Sequence, residues 1–129
     1  MAKKVIVIDD DMYIRELYEE VLKGEGYDVD SAVNGEDALN KLLKGGYDLI
    51  LLDIMMPKVD GLGVMDALKA TPPPIPNGPI LMLTNLDHEP LIQDALSKGA
   101  QAFLIKADIT PADLMNQVRK FLLEAENKS

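Results

Sequence analysis

Leu49-Ile50-Leu51-Leu52 is an unbroken apolar run held between Asp48 and Asp53. Four apolar residues without alternation suit a strand buried on both faces, the condition of a central strand in a parallel sheet that carries helices on each side. Asp53 then stands at the carboxyl end of that strand. In an open α/β sheet this edge is where ligands bind, which makes the carboxylate a candidate functional group. Taken alone it is equally an ordinary acid at a strand-to-loop junction, and the rest of the chain decides between the two.

Four more segments read as strands. Val5-Ile6-Val7-Ile8 stops abruptly at Asp9-Asp10-Asp11, and Tyr27 to Ala32 alternates as an edge strand does. Ile80 to Leu83 ends on Thr84, and Ala102 to Ile105 ends on Lys106. Between the strands the apolar period switches to that of a helix. The first helix turns Ile14, Leu17, Tyr18, Val21 and Leu22 inward, with Arg15, Glu16, Glu19, Glu20 and Lys23 mostly outward, and an aspartate of the preceding cluster caps it. Asn34-Gly35 marks the turn out of the second strand, and Gly45-Gly46 stops the helix that buries Ala38, Leu39, Leu42 and Leu43. Asp60-Gly61 opens a third helix carrying Leu62, Met65 and Leu68. A fourth, with Leu91, Ile92, Ala95 and Leu96 inward, closes at Gly99. Thr110-Pro111-Ala112-Asp113 combines a capping threonine, a proline at the first helical position and an acid in the first turn, and opens a last helix that buries Leu114, Val118, Phe121 and Leu122.

Five strands alternating with five helices are the signature of a doubly wound parallel sheet, α/β and flavodoxin-like. Right-handed crossovers leave few topologies, and the order 2-1-3-4-5, with its switch point between strands 1 and 3, is the expected one. That order brings Asp9, Asp10 and Asp53 side by side. The 129 residues make one domain with a core from about 4 to 124, since they suffice for a single core but not for two.

Charge narrows the function classes. Acidic residues outnumber basic ones by 22 to 13, a net charge of −9, and the chain holds no basic patch for a phosphate backbone, so direct nucleic-acid binding is not expected. The balance suits cationic partners or a bound metal. The chain has no cysteine, no apolar run of membrane-spanning length and no secretory signal, and the expected compartment is the cytoplasm without membrane insertion.

Carboxylates converging at one sheet edge repel each other and raise each other's pKa unless a cation lies between them. Asp9, Asp10 and Asp53, with no histidine or cysteine nearby, suit a hard oxygen-liganded ion such as Mg²⁺. A metal beside a carboxylate suits aspartyl-phosphate chemistry, with Asp53 as nucleophile, Lys106 as a point charge on a phosphoryl oxygen and Thr84 as a hydroxyl donor. Each residue also has an ordinary reading, as helix cap, strand former or surface charge. All of those holding together at one edge is improbable.

These residues resemble the receiver domain of bacterial two-component response regulators, here as a stand-alone domain: Asp9-Asp10 after strand 1, Asp53 followed by Pro57 and Gly61, Thr84 after strand 4 and Lys106 after strand 5. The resemblance implies a phosphoacceptor switch rather than an enzyme with an external substrate, in which Asp53 takes a phosphoryl group from a histidine of a sensor kinase or phosphotransfer protein. It further implies Mg²⁺ held by Asp10, Asp53 and the backbone carbonyl of Met55, with Asp9 helping through water. Thr84 and the aromatic Phe103 would act as switch residues that alter the face of the fourth helix, fifth strand and fifth helix toward a downstream protein target. The chain departs from the pattern at Ala107, where the family usually has a proline in a cis bond. A cis bond without proline costs about 2.5–4 kcal/mol, so Lys106-Ala107 is expected to be trans. Asn85 stands where a small residue is common, and apolar Met55 and Leu86 flank the attacking water's path, which predicts slow loss of phosphate.

The main alternative is a haloacid dehalogenase-like phosphatase with Asp9 as nucleophile and Asp11 as general acid, although 129 residues leave little room for its cap and Asp53 would have no role. A receiver-like module that no longer accepts phosphate is a third reading, and the full set of acids, hydroxyl and amine argues against it. His88 reads as a solvated residue. The prolines from Thr71 to Pro79, five of the chain's eight, read as a stiff surface loop rather than a PxxP docking motif. Most of the seven methionines read as core filler, with Met115 expected to be the exception.

Overall fold

The computed structural model describes residues 2–56, 59–84 and 89–127. In chain order the elements are β1 (Lys4–Ile8), α1 (Met12–Gly24), β2 (Asp28–Ala32), α2 (Gly35–Leu42), β3 (Leu49–Asp53), α3 (Gly61–Ala70), β4 (Ile80–Thr84), α4 (Glu89–Ser97), β5 (Ala102–Ile105) and α5 (Pro111–Asn127). All pairings are parallel and the sheet order is β2-β1-β3-β4-β5. This is the doubly wound order expected from the sequence.

The unbroken apolar runs explain the layers. Successive side chains of a strand point to opposite faces, so a strand with no polar residue must be covered twice. Ile6, Ile8, Ile50, Leu52 and Met82 face one layer with Ala38, Leu42, Val64, Met65 and Ile92. Val5, Val7, Leu49, Leu51, Leu81 and Leu83 face the other, with Tyr18, Leu22, Leu114, Val118 and Phe121. β2, at the edge, keeps only Ala32 fully buried.

Side-chain caps fix where the helices begin. Asp11 accepts from the Ile14 N–H at 3.2 Å and caps α1, and Asp60 accepts from the Gly63 N–H at 2.8 Å and caps α3. Asn34 belongs to a helix start rather than only to a turn, since its Oδ1 accepts from the Asp37 N–H at 2.8 Å. Thr110 and Asp113 form a reciprocal capping box, each accepting the other's N–H at 3.1 Å.

The proline-rich loop is tied down by more than its prolines. Ile75 bridges to Gly45, the Gly78 N–H donates to the Tyr47 carbonyl at 2.7 Å, and the Asn77 amide donates to the Leu42 carbonyl at 3.0 Å. Among the described residues all peptide bonds are trans, Lys106-Ala107 included. The surface methionines differ from the expectation: Met115 is half-buried on α5, whereas Met12 and Met55 are 62% and 58% exposed. Helical period places Met115 on a flank of α5, whereas Met12 opens α1, before the turns that pack inward, and Met55 follows the end of β3. Among the described residues no helix is long and apolar enough to cross a membrane. Pro57, Asn85, Leu86 and His88 lie outside the described residues.

Candidate phosphoacceptor and metal site

The parallel register delivers the candidate residues to one edge. Ile8 pairs with Leu52, Asp53 with Leu83 and Thr84 with Ile105, so the residues that close or follow β1, β3, β4 and β5 emerge together. A backbone bond from the Lys106 N–H to the Thr84 carbonyl at 2.8 Å ties the last two strand ends to each other. Among the described residues four polar or charged side chains are buried, and they are Asp9, Asp53, Thr84 and Lys106. Burying such groups is costly unless they are paired, so their meeting at one place needs a compensating charge pattern.

That pattern is partly supplied from within. Lys106 Nζ lies 2.6 Å from Asp9 Oδ2 and 3.3 Å from Asp53 Oδ2. Asp9 Oδ1 accepts from the Asp11 N–H at 3.0 Å, and Asp53 Oδ1 accepts from the Met55 N–H at 3.3 Å. Burial is the largest influence on Asp53 and pushes its carboxyl up to about 7; the Lys106 ammonium opposes the rise, the nearby Asp9 adds to it, and the Met55 N–H opposes it. For Lys106, burial pulls the ammonium down, but the facing Asp9 and Asp53 carboxylates outweigh burial and the net direction is up.

One ammonium does not balance the acids. Oxygen atoms of Asp9, Asp10 and Asp53 lie within 4.8 Å of one another, with Asp10 exposed at the mouth. When all three carboxylates are ionised, Lys106 leaves two negative charges unmatched. The contact between Asp9 Oδ2 and Lys106 has the distance of an ion pair but not the angles of a hydrogen bond, so this fully buried oxygen has no donor aimed at it. A hard divalent cation fits this all-oxygen donor set and its residual charge, and Asp10, Asp53 and a backbone carbonyl near Met55 are the groups that could hold it. Met55 follows Asp53 by two residues and is exposed beside it. Phe103 stands apart on the outer face of β5, 38% exposed.

Asp11 is the aspartate that caps α1, which the sequence left open among the three, while Asp9 and Asp10, already set apart with Asp53, lie in the acidic cluster. One feature was not evident from the pattern of residues. Arg15, expected outward, is half-buried, and its guanidinium returns to the β1–α1 turn.

Comparisons with known proteins agree with the fold and identify the family. The family model described as the response regulator receiver domain matches residues 5–119. The transcriptional regulatory protein ResD of Bacillus subtilis is 36% identical over 129 residues, covering 98% of this chain and 50% of that protein. The alkaline phosphatase synthesis transcriptional regulatory protein PhoP of the same organism is 37% identical over 126 residues, covering 98% and 51%. The chain thus spans about half the length of these curated relatives. A receiver domain protein (CheY-like) from Methanospirillum hungatei superposes with a TM-score of 0.89 at 27% identity, over 100% of both chains. With strand order, acidic edge and family model in agreement over nearly its whole length, the chain belongs to the response regulator receiver domain family of two-component signalling.

Proposed function

We propose that this receiver takes a phosphoryl group onto Asp53 from a phosphorylated histidine of a sensor kinase or phosphotransfer protein, in the cytoplasm, and thereby changes its α4–β5–α5 face toward a downstream protein. The observation that carries this reading is that the buried polar side chains among the described residues are a carboxylate pair, a hydroxyl and an ammonium at one sheet edge. In the transfer, an Asp53 oxygen forms the new bond to phosphorus while the phosphorus–nitrogen bond breaks and its electron pair returns to the imidazole. Lys106 pairs with one phosphoryl oxygen and Thr84 donates its hydroxyl to another, which stabilises charge in a step that needs mainly position and electrostatics. Mg²⁺, when bound by Asp10, Asp53 and the Met55 carbonyl with Asp9 acting through water, supplies neutralising charge for the phosphoryl oxygens. Thr84 and Phe103 carry the change to the outer face. A modest difference in interaction energy suffices to shift such an equilibrium.

The phosphatase alternative puts the nucleophile at Asp9 and the general acid at Asp11. Asp9 is fully buried with Oδ1 bonded to the Asp11 N–H and Oδ2 against Lys106, and Asp11 already caps α1. Incubation with a small-molecule phosphodonor, with and without Mg²⁺, followed by mapping of the modified residue separates the readings. Mg²⁺-dependent label on Asp53 is expected; label on Asp9 supports the phosphatase, and no label supports an inert module.

Met55 bears on how long the phosphoryl group lasts. Its exposed thioether beside Asp53 offers little hydrogen bonding to an approaching water. Replacing it by asparagine is expected to shorten the half-life of the phosphoprotein about 3- to 10-fold, by providing one such bond. Following acid-labile phosphate over time checks this, and an unchanged half-life counts against it.

A further inference from the structure

Arg15 lies outside the acid, hydroxyl and amine set, six residues beyond Asp9 on α1. Its half-buried side chain folds back over the β1–α1 turn, and Nη1 donates to the Asp9 carbonyl at 2.9 Å. The ladder between β1 and β2 ends at the Ile8–Ala32 pair, and that between β1 and β3 ends at Ile8–Leu52. The Asp9 carbonyl thus emerges past the last paired residue, and a side chain takes the place of a neighbouring strand. With this bond both backbone polar atoms of Asp9 are engaged, since its N–H donates to the Ala32 carbonyl at 3.2 Å; of the side chain, Oδ1 accepts from the Asp11 N–H at 3.0 Å and Oδ2 lies 2.6 Å from the Lys106 ammonium.

The consequence falls on the next residue. The Asp9 carbonyl belongs to the planar peptide that joins Asp9 to Asp10, so holding its oxygen sets the plane from which the Asp10 chain leaves. Asp9 is anchored by burial, whereas Asp10 is exposed and reaches the cluster from this one turn. We propose that Arg15 is a positioning residue for the divalent cation: its hydrogen bond to the Asp9 carbonyl orients the Asp9–Asp10 peptide and so presents the Asp10 carboxylate as a ligand. This rests on the reading of the acidic edge as a cation site. The positive charge of Arg15 acts in the opposite sense, because a cation near the site by itself weakens binding of another.

That opposition makes the test clean. Mg²⁺ is titrated calorimetrically into the metal-free full chain as wild type, Arg15→Met and Arg15→Lys, with circular dichroism and thermal melts of each. The Met variant keeps the stem but loses donor and charge, and is expected to bind Mg²⁺ about 5- to 10-fold more weakly, toward the lower end of what outer-shell partners of metal ligands contribute. The Lys variant keeps a donor of nearly the same reach and is expected to bind within about twofold of wild type, the residual loss reflecting its different head-group geometry. Equal or tighter binding by Arg15→Met overturns the proposal, as does a lowered melting temperature with an unchanged dissociation constant, the mark of a purely structural role. If Arg15→Met does not fold, Arg15→Gln, whose amide stops two bonds short of the carbonyl, replaces it under the same expectation. Absence of Mg²⁺ binding by the wild type overturns the cation reading itself, and the proposal with it.

Discussion

Asp53→Asn is expected to abolish acyl-phosphate formation and, in the absence of divalent metal, to leave a more stable protein than the wild type at pH 8. The first effect follows from removing the proposed nucleophile, since a carboxamide offers no anionic oxygen to phosphorus. The second follows from electrostatics. Burial, reinforced by Asp9 and opposed by Lys106 and the Met55 N–H, raises the Asp53 carboxyl from an ordinary 3.8 to about 7. Between those values the folded state holds a proton that the unfolded state has released, so the wild type loses stability as pH rises through the window, and the loss is complete above about 7. The asparagine variant has no such group, and its advantage should be small near pH 4, grow toward pH 7 and then level off. Because Lys106 loses one of its two carboxylate partners in the variant, a net gain of about 1–2 kcal/mol is expected rather than the full value of the shift. Mg²⁺ should bind the wild type more tightly as Asp53 ionises and narrow the gap between the proteins by mass action. Thermal melts at pH 5 and pH 8, with and without Mg²⁺, test each part. A metal-free variant less stable than wild type at pH 8 means that the ion pair with Lys106 outweighs the cost of burying the carboxylate.

The sheet and the convergence of the candidate residues at one edge were legible for one reason: each depends on where an apolar run stops. Leu49 to Leu52 has no polar residue, so it must be central; Val5 to Ile8, Ile80 to Leu83 and Ala102 to Ile105 end on an acid, a hydroxyl and an amine, and parallel register does the rest. What escaped the sequence depends on rotamers and turns. A helical period gives the direction in which Arg15 leaves α1, not the path of a long flexible chain that bends back to a carbonyl. Asp9, Asp10 and Asp11 are alike in sequence, yet one is buried, one lies at the mouth and one caps a helix, because the strand period ends at Ile8 and the turn sets each direction separately. The ties of Asn77 and Gly78 to the α2–β3 turn join segments thirty or more positions apart, and no local pattern announces them.

Gly61→Ala is expected to damage the proposed phosphoacceptor edge from behind. Gly61 is the first residue of α3, buried, and its N–H donates to the Ile54 carbonyl at 2.8 Å. A Cβ at this position would lie 2.5 Å from the Asp53 carbonyl oxygen, 2.9 Å from Ile54 Cα and 3.0 Å from Met82 Cε. The methionine end can move aside, but the two backbone contacts cannot, so either α3 retreats or the end of β3 shifts with Asp53 on it. Overpacking of this kind costs about 1–3 kcal/mol. A displacement near 1 Å at a reacting group can slow its reaction about 100-fold, so phosphorylation should fall by at least tenfold even where the variant is fully folded. Gly63→Ala is the control on the same helix turn. Among the described residues its Cβ would meet only the Val59 Cγ1 at 3.0 Å and the Asp60 Oδ1 at 3.4 Å, both side-chain atoms, and the gain of about 0.8–1 kcal/mol in helix propensity works against that crowding. Denaturant unfolding and phosphodonor labelling of the two variants should therefore diverge, with Gly63→Ala close to wild type in both. Equal stability and equal labelling rates for the pair would mean that the start of α3 yields freely, and that its close approach to the Asp53 carbonyl does not hold the acceptor in place.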